Sequence, residues 1–534
     1  MKAKEAVDWL DSKKWSQTSI EKRIEMIKKV QKNLNEHIED LAAEDTKMKK
    51  LDTRNGYLTG LGYQTTVVPV GGQLNAVLDI YESILGGEIM HALEVNRIND
   101  DTYDLLVFPQ TGKDKMMYSD RKDYLRVKGN PKQISPLDRA GGITAVLGAG
   151  NYSSAVEMVN ALFIDNCAVV HKPHHMNSNT DKIWEQIFKP LIEYKALSFC
   201  DSEGGRELVK DDRVDKIYFT GGTKTAEKIK SDTKAKLVSE CGGNNPCIVI
   251  PGDRPWTEKE LKHQAQVLVT VGKLNGGAVC GRPQTFITSK KWSQRRAFLD
   301  ALKEAIVNDT PAATSYYPGT EEVMENFKNN HPEAEILKPE KGNVKNSEFI
   351  FIEDIRVDSY AVTNEAFCQI FDEIAIDNVN TTEEFINEAV KFSNSKLHGS
   401  LGSMIVVDDD TLENHRKAVA DAVTELRYGS VGVNTPPPFI FMNPYLTWGG
   451  HEEAEKEHFV SGIGNFGNVL GYENVEKSIS YNKFVSSGDM ISDNKGVWLK
   501  LSKAAAQNAS NPTWMNLFKM VGTVVFGNFR KKDF

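Results

Sequence analysis

The sequence contains no Cys-x-x-Cys pair, no long run of lysine and arginine, and no continuous apolar stretch. Each absence removes a class of function. Its six cysteines, at 167, 200, 241, 247, 280 and 368, lack the paired spacing of a secreted disulfide framework and read as reduced thiols in a cytoplasmic protein. No apolar window reaches the roughly 18 residues that a membrane span needs. The opening residues Met1-Lys-Ala-Lys-Glu-Ala carry charge where a secretory signal would carry its apolar core, so no leader is expected. A mild net charge of −9 without a basic patch argues against nucleic acid as a partner. His174-His175 is the only histidine pair, and no carboxylate or cysteine accompanies it at ligand spacing, so no metal is expected.

What remains is an ordinary globular composition, 40% apolar and 26% charged, over 534 residues. That length exceeds one hydrophobic core and implies several domains. Helical spacing runs through residues 4–46, with Ile20, Ile24, Ile27 and Val30 on one face and Leu34, Ile38 and Leu41 extending it. A second helix is expected over about 71–86, ending at Gly86-Gly87. Between 97 and 138 the chain is polar, with short β-type runs at Tyr103–Phe108 and Tyr124–Val127 that suggest a hairpin suited to a subunit contact.

From Gly141 the pattern becomes α/β. The apolar run Ile143–Leu147 enters Gly148-Ala-Gly150-Asn-Tyr-Ser-Ser154, a helix follows with Val156, Val159, Leu162 and Phe163 on one side, and Cys167–His171 ends at Lys172-Pro173. This is a β-α-β unit with only part of a G-x-G-x-x-G fingerprint, because Ser153 stands where the last glycine belongs. Lys216–Thr220 runs into Gly221-Gly222-Thr223, a strand-to-helix junction whose backbone N–H groups suit a phosphate. Leu237-Val-Ser-Glu240 runs into Cys241-Gly242-Gly243, which aims Glu240 into a crevice. A helix over about 258–273 then meets Asn275-Gly276-Gly277-Ala-Val-Cys280 and a short strand, Thr285–Thr288. Glycines there bring the backbone close to a ligand and leave a thiol accessible.

Taken in order, these pieces resemble the aldehyde dehydrogenase superfamily. Asn151 after an apolar strand, Lys172-Pro173, Phe219-Thr-Gly-Gly222, Glu240-Cys-Gly-Gly243, Cys280 after Asn-x-Gly, Glu365-Ala-Phe367, Asn434, Gly449-Gly450 and Ser461-Gly-Ile-Gly464 follow that family's sequence of motifs across roughly residues 5–485. Several positions depart from it: Gly222 replaces a phosphate-loop serine, Cys241 a leucine, Ala278 a glutamine, and Cys368-Gln369 a Gly-Pro. The Trp/Phe-Asn-Phe/Tyr-Pro setting of the asparagine has become Gly150-Asn151-Tyr152-Ser153.

The resemblance implies NAD(P)-dependent oxidation of a small-molecule aldehyde to its acid. Cys280 would be the nucleophile, with Asn151 and the Cys280 backbone N–H stabilising the oxyanion. Glu240 would activate the water that hydrolyses the thioester, and its presence disfavours both coenzyme A transfer and the reverse, acyl-reducing direction. For the cofactor the resemblance implies Lys172 on the adenosine ribose, Glu365 on the nicotinamide ribose and Phe367 beside it. Gly221, Gly222 and Thr223 would face the pyrophosphate, with the Thr223 hydroxyl replacing the absent serine, and Gly242 lies on the neighbouring loop. His175 stands where NAD-preferring relatives carry a glutamate, so NADP is expected to be tolerated beside NAD.

The expected fold is α/β, with two Rossmann-like domains plus a small β oligomerisation element. Residues 1–245 would bind NAD(P), with the hairpin at about 115–140 inserted for assembly. Residues 246–460 would carry Cys280, and 461–485 would return through a strand near Val475–Phe484. A homodimer or homotetramer follows from the same resemblance. Arg282 is expected to be structural, paired with a loop carboxylate, and Cys241 and Cys247 to be packing residues. The extension 486–534, with an apolar run from Trp514 to Phe529 before Arg530-Lys-Lys532, is expected to dock on the protein's own surface or a subunit seam rather than on a membrane. The rival reading is a relative that keeps the fold as a binding or structural protein without catalysis.

Overall fold

A computed structural model describes residues 1–339, 344–486 and 495–527. Two sheets organise them. The smaller has five parallel strands in the order Leu197–Phe199, Cys167–Lys172, Gly142–Leu147, Lys216–Thr220 and Lys236–Glu240. Its strands switch direction of progression on either side of Gly142–Leu147, which opens a crevice at their carboxyl ends. Lys172, Gly148, Thr220 and Glu240 therefore come out on one rim.

The larger sheet has eleven strands. Its middle is parallel, from Phe349–Ile352 and Ile370–Ile376 through Thr285–Ser289, Pro246–Val249, Gly402–Val406 and Ser430–Val433 to Val475–Tyr481. Near-continuous burial of Val, Ile and Phe along these strands is what a sheet covered on both faces requires. An antiparallel meander, Glu94–Asn99, Thr102–Phe108 and Lys122–Lys128, joins this sheet through Val475–Tyr481. The two expected strands are present, but pairing begins at Glu94, ahead of the 115–140 segment, and it extends the larger sheet.

The N-terminal helical stretch breaks into Ala3–Trp9, Ser12–Ser16, Ile20–Glu36 and Ile38–Met48. Ser19 starts the third by accepting a hydrogen bond from the Lys22 N–H, and Ile24, Ile27, Val30 and Leu34 are buried. The next long helix, Val67–Leu85, begins earlier than the apolar spacing suggests, because Pro69 sits within its first turn, where no helical N–H is needed.

The C-terminal extension forms two helices, Lys495–Ser510 and Trp514–Gly527. The first lies on Gly56–Thr65 and Val67–Leu85, and glycines permit the contact. A Cβ at Gly60 would fall 2.7 Å from the Trp498 ring, and one at Gly71 would fall 2.7 Å from the Ala509 backbone. The second helix buries Leu517 and Met520 and leaves Trp514, Met515 and Phe518 exposed. The segment thus docks on its own chain. The basic residues Arg530-Lys-Lys532 lie outside the described residues. Among the described residues no helix is long and apolar enough to cross a membrane.

Candidate active site

Helix Glu258–Lys273 delivers the nucleophile loop. Its start is fixed by a reciprocal capping box between Thr257 and Glu260. Its end is a tight turn, with Asn275, Gly276 and Gly277 all at positive φ (52°, 63° and 85°). Only glycine fits the last two positions, because a Cβ at Gly276 would lie 2.1 Å from the Thr314 carbonyl oxygen and one at Gly277 2.3 Å from the Cys368 carbonyl carbon. The turn is pinned from below by Asn245, whose amide donates to the carbonyls of Cys280 (2.6 Å) and Arg282 (2.9 Å). Arg282 is fully enclosed and donates to the carbonyls of Gly277, Pro283 and Ile370. The expected carboxylate partner is replaced by carbonyls, because the loop turns its backbone inward around the guanidinium.

Cys280 is half-buried and lines a cavity of about 380 Å³ together with Asn151, Tyr152, Glu240 and Trp448. Three residues remote in sequence thus converge on one cavity. Asn151 is buried, and its amide donates to the Ala278 carbonyl at 3.1 Å, which aligns it beside the nucleophile loop and leaves its second N–H available. Ala278, small and buried, makes room for that contact.

Glu240 is buried, and burial raises its pKa from 4.5 to about 7, while the facing Cys280 thiol and Trp448 indole pull it down. Its Oε1 has no hydrogen-bond partner. Burial, reinforced by the facing Glu240 carboxyl, holds the Cys280 thiol well above its ordinary value. The thiol is therefore protonated in this arrangement, with the Glu240 carboxyl facing it.

The residues assigned to the cofactor lie on the crevice rim. Gly222 is the exposed N-cap of helix Thr223–Asp232, with open space where a Cβ would project. The Thr223 hydroxyl donates to the Val460 carbonyl at 2.7 Å. Its donor is thus committed to protein, which corrects its expected role as the serine substitute. Gly221 lies against the Phe219 ring. Lys172 is half-buried at its strand end, its pKa lowered by burial, and makes no ion pair among the described residues. His174 stacks on His175 with ring centroids 4.2 Å apart, and burial lowers the His174 pKa to about 4. His175 itself is exposed.

On the opposite wall, the Glu365 carboxylate lies directly on Gly242. A Cβ there would fall 1.9 Å from Oε1, so any larger residue would displace the carboxylate. Burial raises the Glu365 pKa to about 7. Phe367 adopts φ 47° and meets Tyr317 edge-on at 5.1 Å, and the Tyr317 hydroxyl would lie 2.6 Å from a Cβ on Gly150. Tyr317 and Asn245 carry site geometry that the sequence reading missed. Asn245 alone left a signal, as a polar pair with Asn244 between a Gly-Gly turn and an apolar strand. Cys241 and Cys247 are buried with raised pKa values, as packing residues are. Among the described residues no three His, Cys, Asp or Glu side chains cluster as a metal site would require.

Residues 135–315 match the model of the aldehyde dehydrogenase family. The matched segment, about a third of the chain, contains Asn151, Glu240 and Cys280. Among curated relatives it is 24% identical over 368 residues to aminoaldehyde dehydrogenase 1, peroxisomal, of Pisum sativum, covering 64% of this chain and 65% of that one. It is 25% identical over 274 residues to the lactaldehyde dehydrogenase of Methanococcus maripaludis, covering 48% and 54%. The chain thus spans less than two thirds of the curated relatives it matches. Solved aldehyde dehydrogenase structures agree on the fold over more of its length. The lactaldehyde dehydrogenase of Escherichia coli superposes with a TM-score of 0.62 at 17% identity, over 88% of this chain and 89% of that one. The NADP-dependent glyceraldehyde-3-phosphate dehydrogenase of Bacillus halodurans, complexed with NADP, gives 0.60 at 18% identity, over 88% of each chain. The aldehyde dehydrogenase fold therefore extends well beyond the matched segment.

Proposed function

We propose that the protein oxidises an aldehyde to the corresponding carboxylate, with Cys280 as nucleophile, Glu240 as base and Asn151 as an oxyanion donor. The observation that carries this reading is the meeting of those three side chains at one cavity, with Glu240 facing the thiol. Glu240 takes the thiol proton as sulfur bonds to the carbonyl carbon, and the Asn151 amide and the Cys280 N–H receive the growing negative charge. Losing one such donor typically costs about 3 kcal/mol of barrier. Once the acyl group sits on sulfur as a thioester, Glu240 removes a proton from attacking water and Cys280 leaves as the acid forms.

The crevice residues fit a dinucleotide. Gly222 keeps open space above a helix N-terminus, Lys172 presents a half-buried cation without an ion pair among the described residues, and Gly242 lets Glu365 lie flat on the floor. NAD(P) bound there would supply the hydride acceptor. Lys172 and Glu365 would hold its two riboses, Gly221, Gly222 and Thr223 its pyrophosphate through their N–H groups, and Phe367 its nicotinamide end. His175 brings no carboxylate to repel a 2′-phosphate, so NADP is accepted beside NAD. A hundredfold preference for NAD in kcat/KM would overturn that part.

Incubation with NAD or NADP and a panel of aldehydes, beside Cys280→Ala, tests the whole reading. Turnover by the parent and none by the variant supports it; no turnover by either leaves a binding protein. Assembly as a homodimer or homotetramer is supported by the exposed edge strand Glu94–Asn99, which presents Val95 and Ile98 to solvent with its outer backbone unpaired in the described chain. Light scattering at the mass of one chain would exclude it. Six free cysteines suit a reducing compartment such as the cytoplasm.

A further inference from the structure

Beside Glu240 lies a second acid that the scheme above does not use. Glu157 sits in the first turn of helix Ala155–Phe163 and is 2% exposed. Its Oε1 accepts hydrogen bonds from the Tyr152 hydroxyl and from Thr220 Oγ1 (3.4 Å), while its Oε2 has no partner. Thr220 is the register partner of Glu240 on the neighbouring parallel strand, so their side chains leave the same face of the sheet one strand spacing apart. Tyr152 lines the cavity that holds Cys280. Hydrogen-bonded groups therefore run from Thr220 to Glu157 and out through Tyr152, with Glu240 beside Thr220 one strand spacing away.

We propose that Glu157 and Tyr152 form the route by which Glu240 passes its proton out of the site between the two halves of the reaction. This rests on Glu240 being the base for both halves. When the Cys280 S–H bond breaks and the S–C bond forms, the proton goes to Glu240, and a protonated Glu240 cannot accept one from water. Release proceeds by exchange. The Thr220 hydroxyl takes the Glu240 proton and gives its own to Glu157; the Tyr152 hydroxyl, which donates to Glu157 at rest, turns its O–H to solvent in the cavity, takes the Glu157 proton on its oxygen and releases its own. Each O–H bond broken is matched by one formed, one proton leaves, and no oxidant or reductant is involved. Glu157 is a positioning residue in this sense, since it acts through Glu240 and touches no reacting atom.

The surroundings suit the role. Burial raises the Glu157 pKa to about 8, and Glu240 is the only charged group that adds to the rise. Thr220 is a neutral donor, and Tyr152 is the one other titratable group in contact. The elements packed most closely on this helix, Val67–Leu85, Gly142–Leu147, Cys167–Lys172 and Phe466–Gly467, bring no other charged group to bear on Glu157 among the described residues. Two acids this close in a dry site titrate as a pair, with one charge shared across the neutral range.

The experiment compares the full chain with Glu157→Gln and Tyr152→Phe, measuring the first-turnover burst of NAD(P)H and the steady-state rate across pH 6–9. In the parent the steady-state rate is expected to rise in two steps across this range, one for each ionisation of the Glu240–Glu157 pair. Glu157→Gln is expected to keep the burst, lose the upper step and fall about tenfold in steady-state rate. Tyr152→Phe is expected to match it, with no further loss in the double variant, and Glu157→Asp to restore part of the upper step. A Glu157→Gln profile that keeps both steps, or falls equally at every pH with its burst, overturns the proposal and leaves Glu157 a packing residue. Absence of any burst in the parent sinks the oxidation reading itself, and the relay with it.

Discussion

On the proposed scheme, Glu240 has two tasks that make opposite demands on one carboxyl. It must be basic enough to take a proton near neutrality, which its burial provides, and empty when water arrives. Glu240→Gln should slow both the NAD(P)H burst and steady-state turnover, by about 10²-fold or more; stopped-flow absorbance at the reduced nicotinamide band reads both phases. Gly242 is the other residue-scale test. Gly242→Ala puts a methyl where the Glu365 carboxylate lies, so Glu365 must swing away. The expected result is at least a tenfold rise in KM for the dinucleotide, equivalent to about 1.4 kcal/mol, with the first-order inactivation of Cys280 by a thiol reagent unchanged.

At the scale of elements, the strand-end residues were legible because a strand, a glycine turn and a helix in succession dictate which side chain comes out on the rim. Lys172, Glu240 and Gly222 follow from that rule. Glu157 did not, and the reason is physical. The helix Ala155–Phe163 reads as one apolar face with polar residues opposite, but it is buried on all sides, so Glu157 and Asn160 lie in the interior. Hydrophobic spacing locates one buried face and says nothing of a second. Arg282 was read for its charge, whereas its pairing with three carbonyls depends on how the nucleophile loop turns, which no local pattern encodes. The C-terminal helices were equally opaque, because their seat is shaped by glycines more than 400 positions upstream. Gly71→Ala should press on the Ala509 backbone. The expected cost is about 1–3 kcal/mol, with Lys495–Gly527 becoming the first segment cut by limited proteolysis.

Across the molecule, the buried acids tie stability to pH in an unusual direction. Glu240 has a folded-state pKa near 7 against an ordinary 4.5, so the folded chain holds the proton more tightly than the unfolded one. Its contribution is fully present below pH 4.5 and is lost as pH rises through 7. Glu240→Gln should therefore match the parent near pH 4 and exceed it at pH 8, by on the order of 3 kcal/mol. Chemical denaturation at the two pH values reads the difference; an equal offset at both would show that the gain has nothing to do with ionisation.

The cavity beside Cys280 has walls drawn from distant parts of the chain, with Leu61, Tyr118 and Arg121 on one side and Trp498, Ala505 and Met520 on another. On a ribosome these arrive far apart in time. At about 5–20 residues per second, the second group emerges roughly 20–80 s after the first. A nascent chain that already holds Cys280, Glu240 and Asn151 in place still lacks one side of the chamber in which they work. The Cys280 thiol is therefore made before it is enclosed, and the glycine seats stand open until their helix is made.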